Sequence, residues 1–472
     1  SKSMESVLNL LTYVFWVVLA IMILVFTHEM GHFLFARLFG MRVEKFSIGF
    51  PPKIFSWRRG ETEYVIGATP LGGYVKIAGL IDENLDTEFV NRPPEPWEFR
   101  AKPLWQRMLV ISGGVLFNIL LAALIFAGLK LAYGELYIPA ENVQAVYVAE
   151  GSLAYEMGLR TGDHIVAVNG RPLKRYGDLR NLEALLADPF TITVVRNGDT
   201  LTFAGPPDLM TQLSRRGGML GISVDPPLVG GVLEGSPAAK AGLRPGDRIL
   251  AIDSVAIGFW NELVEVVQQR GDRPMRVRWL RPDTSAAVPE GAVLVARRPD
   301  GIVYEATIRP YYDPETNRYY LGIAAPTPQL LMAYFGVQRV RYGIGAALLA
   351  GVEETWTHTR VILTSLRRMV TGQESFRENV GGPIMIAKVT KEAAEAGARA
   401  FWNIVAVLSI TLAIVNILPI PALDGGHLLF LLYEAVARRE PSVRVRLALQ
   451  QVGMILLLAF MAFVILNDLL RL

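Results

Sequence analysis

The sequence predicts a multi-domain membrane protein with an α-helical transmembrane core of four spans, a membrane-associated β-hairpin, and two tandem β-rich α+β domains on the outer side. Three observations predict it: four long apolar runs, basic residues in the short loops beside them, and an internal repeat between the second and third runs. Hydrophobic residues make up 51% of the 472 residues and charged residues 19%, and the mean hydropathy is +0.32. The chain is too apolar for one ordinary soluble domain.

The four apolar runs cover about 7–39, 108–133, 401–437 and 447–470. Each is long enough to cross a bilayer, because about 20 helical residues span roughly 30 Å of hydrocarbon. The first begins without a basic flank and is too long for a signal peptide, so we interpret it as a retained span. The predicted divisions are a first span (1–39), a cytoplasmic or re-entrant β-hairpin region (40–107), a second span (108–133), two repeat domains (140–226 and 227–328), an amphipathic helical linker (329–400), a third span (401–437), and a basic loop with the fourth span (438–472).

Lys and Arg in short loops favour the cytoplasmic side of a membrane. Two loops are rich in them, the one between spans one and two and the one between spans three and four, so both loops are predicted to be cytoplasmic. This places both termini and the repeat domains outside. The basic residues are Arg37, Arg42, Lys45, Lys53, Arg58, Arg59, Arg100, Lys102 and Arg107 in the first loop, and Arg438, Arg439, Arg444 and Arg446 in the second.

Charge and cysteine content exclude several kinds of site. The 47 basic and 44 acidic residues give a formal charge of +3, which leaves no strong basic field, and we expect no nucleic-acid partner. The chain has no Cys and therefore no disulfide or thiolate ligand. Any metal site must use His, Asp or Glu.

The stretch between spans two and three repeats itself with an offset of 84 residues, so that Gly162-Asp163 recurs as Gly246-Asp247. The pattern resembles tandem PDZ domains of the circularly permuted bacterial type. The resemblance implies a peptide groove beside a Leu-Gly-Ile strand in each copy, which accepts a chain end or an extended segment by strand addition. We interpret Asp163 and Asp247 themselves as turn residues. The strands are Leu220, Gly221 and Ile222 in the first copy and Leu321, Gly322 and Ile323 in the second.

Apolar residues recur at near-helical spacing between about 344 and 370 and predict an amphipathic helix. Two locations fit this pattern equally: the outer membrane surface, or a packing position against a neighbouring domain. His358 lies in this helix without other ligand residues, and we interpret it as structural or solvated.

The first span contains His28-Glu29-Met30-Gly31-His32, an H-E-x-x-H motif. On a helix, residues four apart share a face, so both imidazoles can bind one Zn²⁺ while the Glu reaches a water on it. Ionisable groups within hydrocarbon are costly unless they are paired, hydrated or metal-bound, which argues against two merely structural histidines.

Catalytic zinc usually has three protein ligands, so a third is expected. The third span supplies Asp424 and, three residues later, His427. We favour Asp424, because a carboxylate offsets part of the zinc charge and because its depth in the span matches that of His28. Pro419 and Pro421 interrupt helical bonding before it, and Gly425-Gly426 permits a tight turn.

Together, His28-Glu29-x-x-His32 and Asn416-x-x-Pro419-x-Pro421-x-Leu423-Asp424-Gly425-Gly426 resemble the site-two protease family of intramembrane metalloproteases. The resemblance implies His28, His32 and Asp424 as ligands of one Zn²⁺ per chain, Glu29 as the catalytic acid/base, and Asn416 as a substrate or transition-state contact. It also implies a bacterial inner-membrane location and substrates with a single transmembrane helix, such as an anti-sigma factor after prior trimming and remnant signal peptides. The active site then lies toward the cytoplasmic side, and the PDZ pair excludes bulky ectodomains.

Residues 63–66 and 70–76 predict a β-hairpin around a Gly72-Gly73 turn. The family resemblance implies that Gly72, Gly73 and Tyr74 present an edge strand that keeps an unwound substrate extended; the less favoured alternative is a plain surface hairpin. Asn118, in span two with Gly113-Gly114, serves either close helix packing or substrate contact. The alternative function is a non-catalytic, membrane-anchored PDZ adaptor for exposed peptide ends.

Overall fold

The computed structural model describes residues 2–81, 91–285 and 287–470, which form two compact units. One unit combines Ser1–Glu135 with Arg341–Leu472, and the other is Leu136–Val340. Residues 82–90 of the predicted hairpin region, Ala286 of the second repeat domain, and the chain ends at 1 and 471–472 lie outside the described residues.

The helical unit begins with two long apolar helices and the strands between them. The elements are α1 (Lys2–Leu38), β1 (Val43–Arg59), β2 (Thr62–Ile77) and α2 (Leu104–Tyr133). Both helices lack proline in their interiors and are apolar around most of their circumference, as helices of a membrane core are. Helix α2 ends at Gly134, whose φ of +64° favours glycine.

The strand arrangement differs from the predicted hairpin. Phe46 in β1 pairs with Tyr64 on one side and with Val75 on the other, so β1 lies between the two segments that were expected to pair with each other. Gly72 and Gly73 lie within β2 and form no turn; the chain reverses between Arg59 and Thr62 instead. The prediction failed because the sequence of β1 resembles that of a loop: it is rich in basic residues and contains Pro51-Pro52.

The second unit consists of two β-rich copies, each with its own core. The first copy contains β3 (Glu135–Tyr137), β4 (Tyr147–Val148), α3 (Leu153–Met157), β5 (His164–Val168), β6 (Arg171–Pro172), α4 (Leu182–Leu185), β7 (Thr191–Arg196), β8 (Asp199–Ala204), α5 (Leu209–Arg215) and β9 (Ile222–Ser223). Its main sheet has the order β6-β5-β7-β8.

The second copy has a main sheet of the order β12-β11-β13-β15-β14. Its elements are β10 (Gly231–Val232), α6 (Pro237–Lys240), β11 (Arg248–Ile252), β12 (Val255–Ala256), α7 (Trp260–Arg270), β13 (Met275–Arg281), β14 (Val293–Arg298), β15 (Gly301–Ile308), β16 (Tyr311–Asp313), β17 (Arg318–Tyr320), β18 (Ile323–Ala324), α8 (Pro328–Tyr334) and β19 (Gln338–Val340). The unit that contains both copies extends past the predicted boundary at 328. Helix α8 follows the second copy along the chain, but its Leu331 and the next residue after the helix, Phe335, pack in the core of the first copy.

Asp163 and Asp247 do more than form turns. Each carboxylate is buried and accepts the backbone N–H three residues earlier, and each also binds an arginine of its main sheet. Asp163 pairs with Arg196 at 2.7 Å and Asp247 with Arg281 at 2.7 Å. An ion pair with a buried carboxylate therefore joins a turn to the sheet in both copies.

The chain then returns to the helical unit through α9 (Ile344–Val370), α10 (Phe376–Asn379), α11 (Pro383–Glu395), α12 (Ala398–Ile417), α13 (Asp424–Ala437) and α14 (Val443–Leu469). The predicted amphipathic helix is α9, and it packs along α2. A Cβ on Gly351 would lie 2.4 Å from the carbonyl oxygen of Ala123, and the His358 ring stacks on Phe126 with centroids 5.2 Å apart. The helix therefore packs on α2 of its own unit, and its location at the outer membrane surface or against a neighbouring domain stays a prediction.

Among the described residues, four helices are long and apolar enough to cross a membrane: Val14–Leu38, Leu104–Tyr133, Ala398–Ile417 and Val443–Leu469. The prediction of four apolar helices together with β-rich regions is confirmed. The third predicted span is interrupted between α12 and α13 where Pro419 and Pro421 stand, as expected. Gly425 and Gly426, however, form the first turn of α13 and make no tight turn of their own.

Candidate metal centre

The two histidines of the H-E-x-x-H motif lie on one face of α1. Residues 28 and 32 are one helical turn apart, so both imidazoles point the same way, and both are buried. Their Nε2 atoms are 3.2 Å apart. Since α1 is regular here, the local helix alone brings the two ring nitrogens together.

Asp424 reaches the same point from the broken third span. It is the first residue of α13, and its Oδ2 lies 3.0 Å from Nε2 of His28 and 3.4 Å from Nε2 of His32. The two glycines that follow let α13 approach the end of α12: a Cβ on Gly425 would lie 2.1 Å from the carbonyl oxygen of Leu418, and one on Gly426 would lie 2.4 Å from that of Ile420. Backbone contact between the two helix ends therefore positions the carboxylate.

The three atoms have the spacing of metal ligands. Tetrahedral zinc with bonds of about 2.0 to 2.2 Å separates its ligand atoms by roughly 3.3 to 3.6 Å, within a few tenths of the observed 3.0, 3.2 and 3.4 Å. Oδ2 of Asp424 is buried and accepts no hydrogen bond, and an acceptor in that position requires a cation or a donor. Within the described part of the chain, these three residues form the one group of His, Asp or Glu close enough to hold a metal.

The outer nitrogens of both imidazoles also have partners. Nδ1 of His32 lies 2.8 Å from the carbonyl oxygen of Val110 and donates to it, so Nε2 is the ring nitrogen that faces Asp424. Nδ1 of His28 lies 3.2 Å from the side-chain amide of Asn118, which is fully buried and whose Oδ1 has no partner in the present orientation. Exchanging the amide O and N, which are interchangeable by shape, lets Oδ1 accept the Nδ1 proton of His28.

Small residues allow α2 to approach this face of α1. A Cβ on Gly31 would lie 2.1 Å from the carbonyl oxygen of Gly113, and one on Gly114 would lie 2.4 Å from the His28 ring. The glycine pair in span two therefore serves close helix packing. Asn118, one turn after Gly114, contacts the ring of His28. The sequence analysis did not predict this contact; a polar side chain at the centre of an apolar run indicates that Asn118 needs a partner but does not identify it.

The predicted catalytic and substrate residues surround one cavity of about 400 Å³. Glu29 lies beside Gly73, where an added Cβ would be 3.3 Å from Cγ of the glutamate. The lining of this cavity includes every site residue that the sequence predicted for the helical unit: His28, Glu29, His32, Gly72, Gly73, Tyr74, Asn416 and Asp424. His427 also lines it but is not part of the ligand group. The six predicted groove residues lie in the other unit, around β9 and β18.

A charged pair joins two of the helices that form this site. Arg107 of α2 donates two hydrogen bonds to the Glu434 carboxylate of α13, at 3.0 and 2.5 Å, and both side chains are largely buried. The pair ties the helix that begins with Asp424 to the helix that contacts His28. No pattern in the sequence indicates that these two residues meet.

These features define a membrane-embedded metallopeptidase-like site, and comparison with known proteins agrees. Residues 16–460 match the sequence profile of peptidase family M50. The chain belongs to this family.

The chain is 31% identical over 477 residues to the regulator of sigma-E protease RseP of Escherichia coli K12, and the match covers 96% of this chain and 98% of the relative. The Salmonella typhimurium RseP gives the same identity and coverage, and a candidate zinc metalloprotease of Neisseria meningitidis is 30% identical over 475 residues, 98% of this chain and 99% of that protein. The predicted site-two protease family and zinc metalloprotease class are confirmed.

Proposed function

We propose that this chain is a zinc-dependent intramembrane endopeptidase that cleaves the transmembrane segments of single-span membrane proteins. The observation that carries the proposal is the convergence of three buried ligand atoms at zinc spacing, beside a glutamate, within an apolar helical unit. Membership of peptidase family M50 and the names of the relatives support it. A non-catalytic adaptor would have no need for this arrangement.

His28, His32 and Asp424 would hold one zinc per chain. Bound zinc supplies a Lewis acid that polarises a carbonyl and makes water acidic near neutral pH. Glu29 takes the proton of the attacking water and returns it to the leaving amine. Asn416 lines the same cavity and donates a hydrogen bond to the developing oxyanion.

Substrate is positioned by the strand that follows Gly72. Segment 73–77 pairs with β1 on one edge, and within the described residues its other edge has no strand partner. Gly73 and Tyr74 of this segment line the cavity. An unwound substrate adds to this free edge, which keeps its scissile peptide extended beside Glu29.

The location and substrates follow from the basic loops and from the relatives. Both termini and the repeat copies, as PDZ domains, lie in the periplasm, and the active site lies toward the cytoplasmic side of the bacterial inner membrane. The name of the Escherichia coli relative, regulator of sigma-E protease, supports a substrate that controls a sigma factor, and from it we infer an anti-sigma factor that has already been trimmed outside. Remnant signal peptides are the second class, because they are also single apolar helices without a bulky outer domain.

The test is cleavage of a labelled transmembrane peptide by purified protein in lipid vesicles. We expect cleavage that a zinc chelator abolishes and that added zinc restores. Glu29→Gln should keep about one zinc per chain and lose activity by a hundredfold or more, in line with the roughly 10²- to 10⁴-fold worth of general acid–base catalysis. Glu44→Gln, at an exposed carboxylate of β1, is the matched control and should cleave normally. Full activity in Glu29→Gln, or in chelated protein, would refute the proposal.

A further inference from the structure

The second copy of the repeat carries an insertion that the first copy lacks. The offset between the copies is 84 residues at Gly162-Asp163 but 101 residues at Leu220-Gly221-Ile222, so the second copy has 17 additional residues between these two points. The structure places them between two strands of the main sheet: residues 197–198 join β7 to β8, whereas residues 282–300 join β13 to β15. The insertion forms β14 and the loop before it.

The insertion adds a new edge to the sheet of the second copy. Strand β14 pairs with β15 on one side and stands last in the strand order, so its other side has no strand partner among the described residues. The loop before β14 packs closely on its own copy. A Cβ on Gly291 would lie 2.2 Å from the carbonyl oxygen of Lys240, and one on Gly242 would lie 2.3 Å from the Pro289 ring. These contacts fix the new edge to the second copy.

The side chains of β14 are apolar and exposed. Val293, Leu294 and Val295 have exposed fractions of 61%, 43% and 43%. The corresponding edge strand of the first copy, β8, instead begins with the exposed polar residues Asp199 and Thr200. Natural edge strands are usually protected by polar or charged side chains, so a free apolar edge indicates a surface that another strand covers.

The charges at the two ends of β14 indicate which strand covers it. Glu290 lies just before β14 and Arg297 lies near its end; both side chains are exposed, and neither forms an ion pair with another described residue. The midpoint between them falls between Val293 and Leu294, at the apolar centre of the strand. When two such strands pair antiparallel about this midpoint, each Glu290 lies beside Arg297 of the other chain and the apolar residues meet. Strand β14 is therefore complementary to the same strand of a second chain.

We propose that two chains associate through β14, which pairs antiparallel with β14 of the second chain. The pairing joins the two main sheets across a twofold axis, and because both chains use the same edge, the assembly closes at two chains. A bulge between Leu294 and Ala296 keeps the regular part of the edge short, which suits one partner strand and disfavours open-ended stacking. The proposal concerns assembly alone and does not rest on peptidase activity.

The test is the mass of the purified full chain in detergent, measured by sedimentation equilibrium over a range of protein concentrations. We expect a reversible dimer. Leu294→Lys places a charge at the centre of the paired strands and should raise the dissociation constant at least about tenfold. Thr200→Lys, at the exposed edge of the first copy, is the matched control and should leave the constant within about twofold. A chain that is monomeric at every concentration, or a dimer that Leu294→Lys leaves unchanged, would overturn the proposal.

Charge reversal guards against misfolding as an explanation. Glu290→Lys and Arg297→Glu each place like charges side by side twice in the dimer, so each should weaken it by about five- to tenfold. Mixing the two variants, or combining both substitutions in one chain, restores opposite charges and should recover the affinity to within about twofold of the unsubstituted protein. Failure of that recovery would overturn the antiparallel pairing of β14. A dimer formed through another surface would respond to none of these substitutions and would overturn it as well.

Discussion

Nε2 of His28 lies 3.0 Å from Oδ2 of Asp424, although the two residues stand near opposite ends of the chain. The relationship depends on two local features: a regular helix that aligns His28 with His32, and a helix break that directs Asp424 toward them. Between these positions, α2 contributes glycines for close approach and Asn118 as a partner of the His28 ring.

Asp424 should be the third zinc ligand, and His427 should not. Asp424→Asn removes the charge that offsets the ion, so we expect zinc affinity to fall by more than the roughly 10- to 100-fold that outer partners of metal ligands are worth. His427→Asn, in the same cavity, should retain about one zinc per chain. Competition with a chelator measures both. The opposite ranking of the two variants would assign the ligand to His427.

Asn118 should position the His28 ring. Asn118→Leu leaves the Nδ1 proton of His28 without an acceptor, and we expect zinc affinity to fall by about 10- to 100-fold. Asn118→Asp restores an acceptor and should recover most of that affinity, which a purely structural role would not do. The zinc dissociation rate is the measurement. Equal rates for Asn118→Leu and the unsubstituted protein would rule out this role.

Gly31 should be required for contact between α1 and α2. Gly31→Ala places a Cβ 2.1 Å from a backbone oxygen, so the helices must separate, and overpacking of this kind costs about 1 to 3 kcal/mol. Gly128→Ala in α2 is the control, because its added Cβ has nothing within 4 Å. Thermal unfolding in detergent should show a lower midpoint for Gly31→Ala alone. Similar midpoints for the two variants would contradict the close contact.

Arg107 should stabilise the docking of α13. Arg107→Ala leaves the largely buried Glu434 carboxylate without its partner, and breaking a buried pair in this way costs about 3 to 5 kcal/mol. Arg58→Ala, at an exposed position of β1, should change stability by less than about 0.5 kcal/mol. Denaturant unfolding followed by tryptophan fluorescence compares them. An Arg107→Ala protein as stable as the control would show that the pair contributes little.

Local rules predicted the parts of the site that depend on local geometry. Helical spacing was enough to align His28 with His32, and the prolines at 419 and 421 were enough to predict the break before Asp424. The sheet was not predictable in the same way. Strand β1 pairs on both sides with segments of β2, and such a register is set by tertiary packing that no single segment encodes.

Contacts between distant side chains were also beyond the sequence. Asn118 beside His28 and Arg107 beside Glu434 each join residues from different elements. Composition indicates that a buried polar residue needs a partner, but only the packed structure identifies that partner. Gly425 and Gly426 illustrate the same limit: glycine was expected to make a turn, and it instead allows two helix ends to touch.

We expect one zinc ion to be shared by α1 and α13. An anomalous difference map at the zinc absorption edge, from crystals of the Glu29→Gln protein, would locate it. We expect one peak per chain, about 2.0 to 2.2 Å from Nε2 of His28, Nε2 of His32 and Oδ2 of Asp424. A fully folded, zinc-supplied protein without a peak there, or with its zinc bound elsewhere, would contradict it.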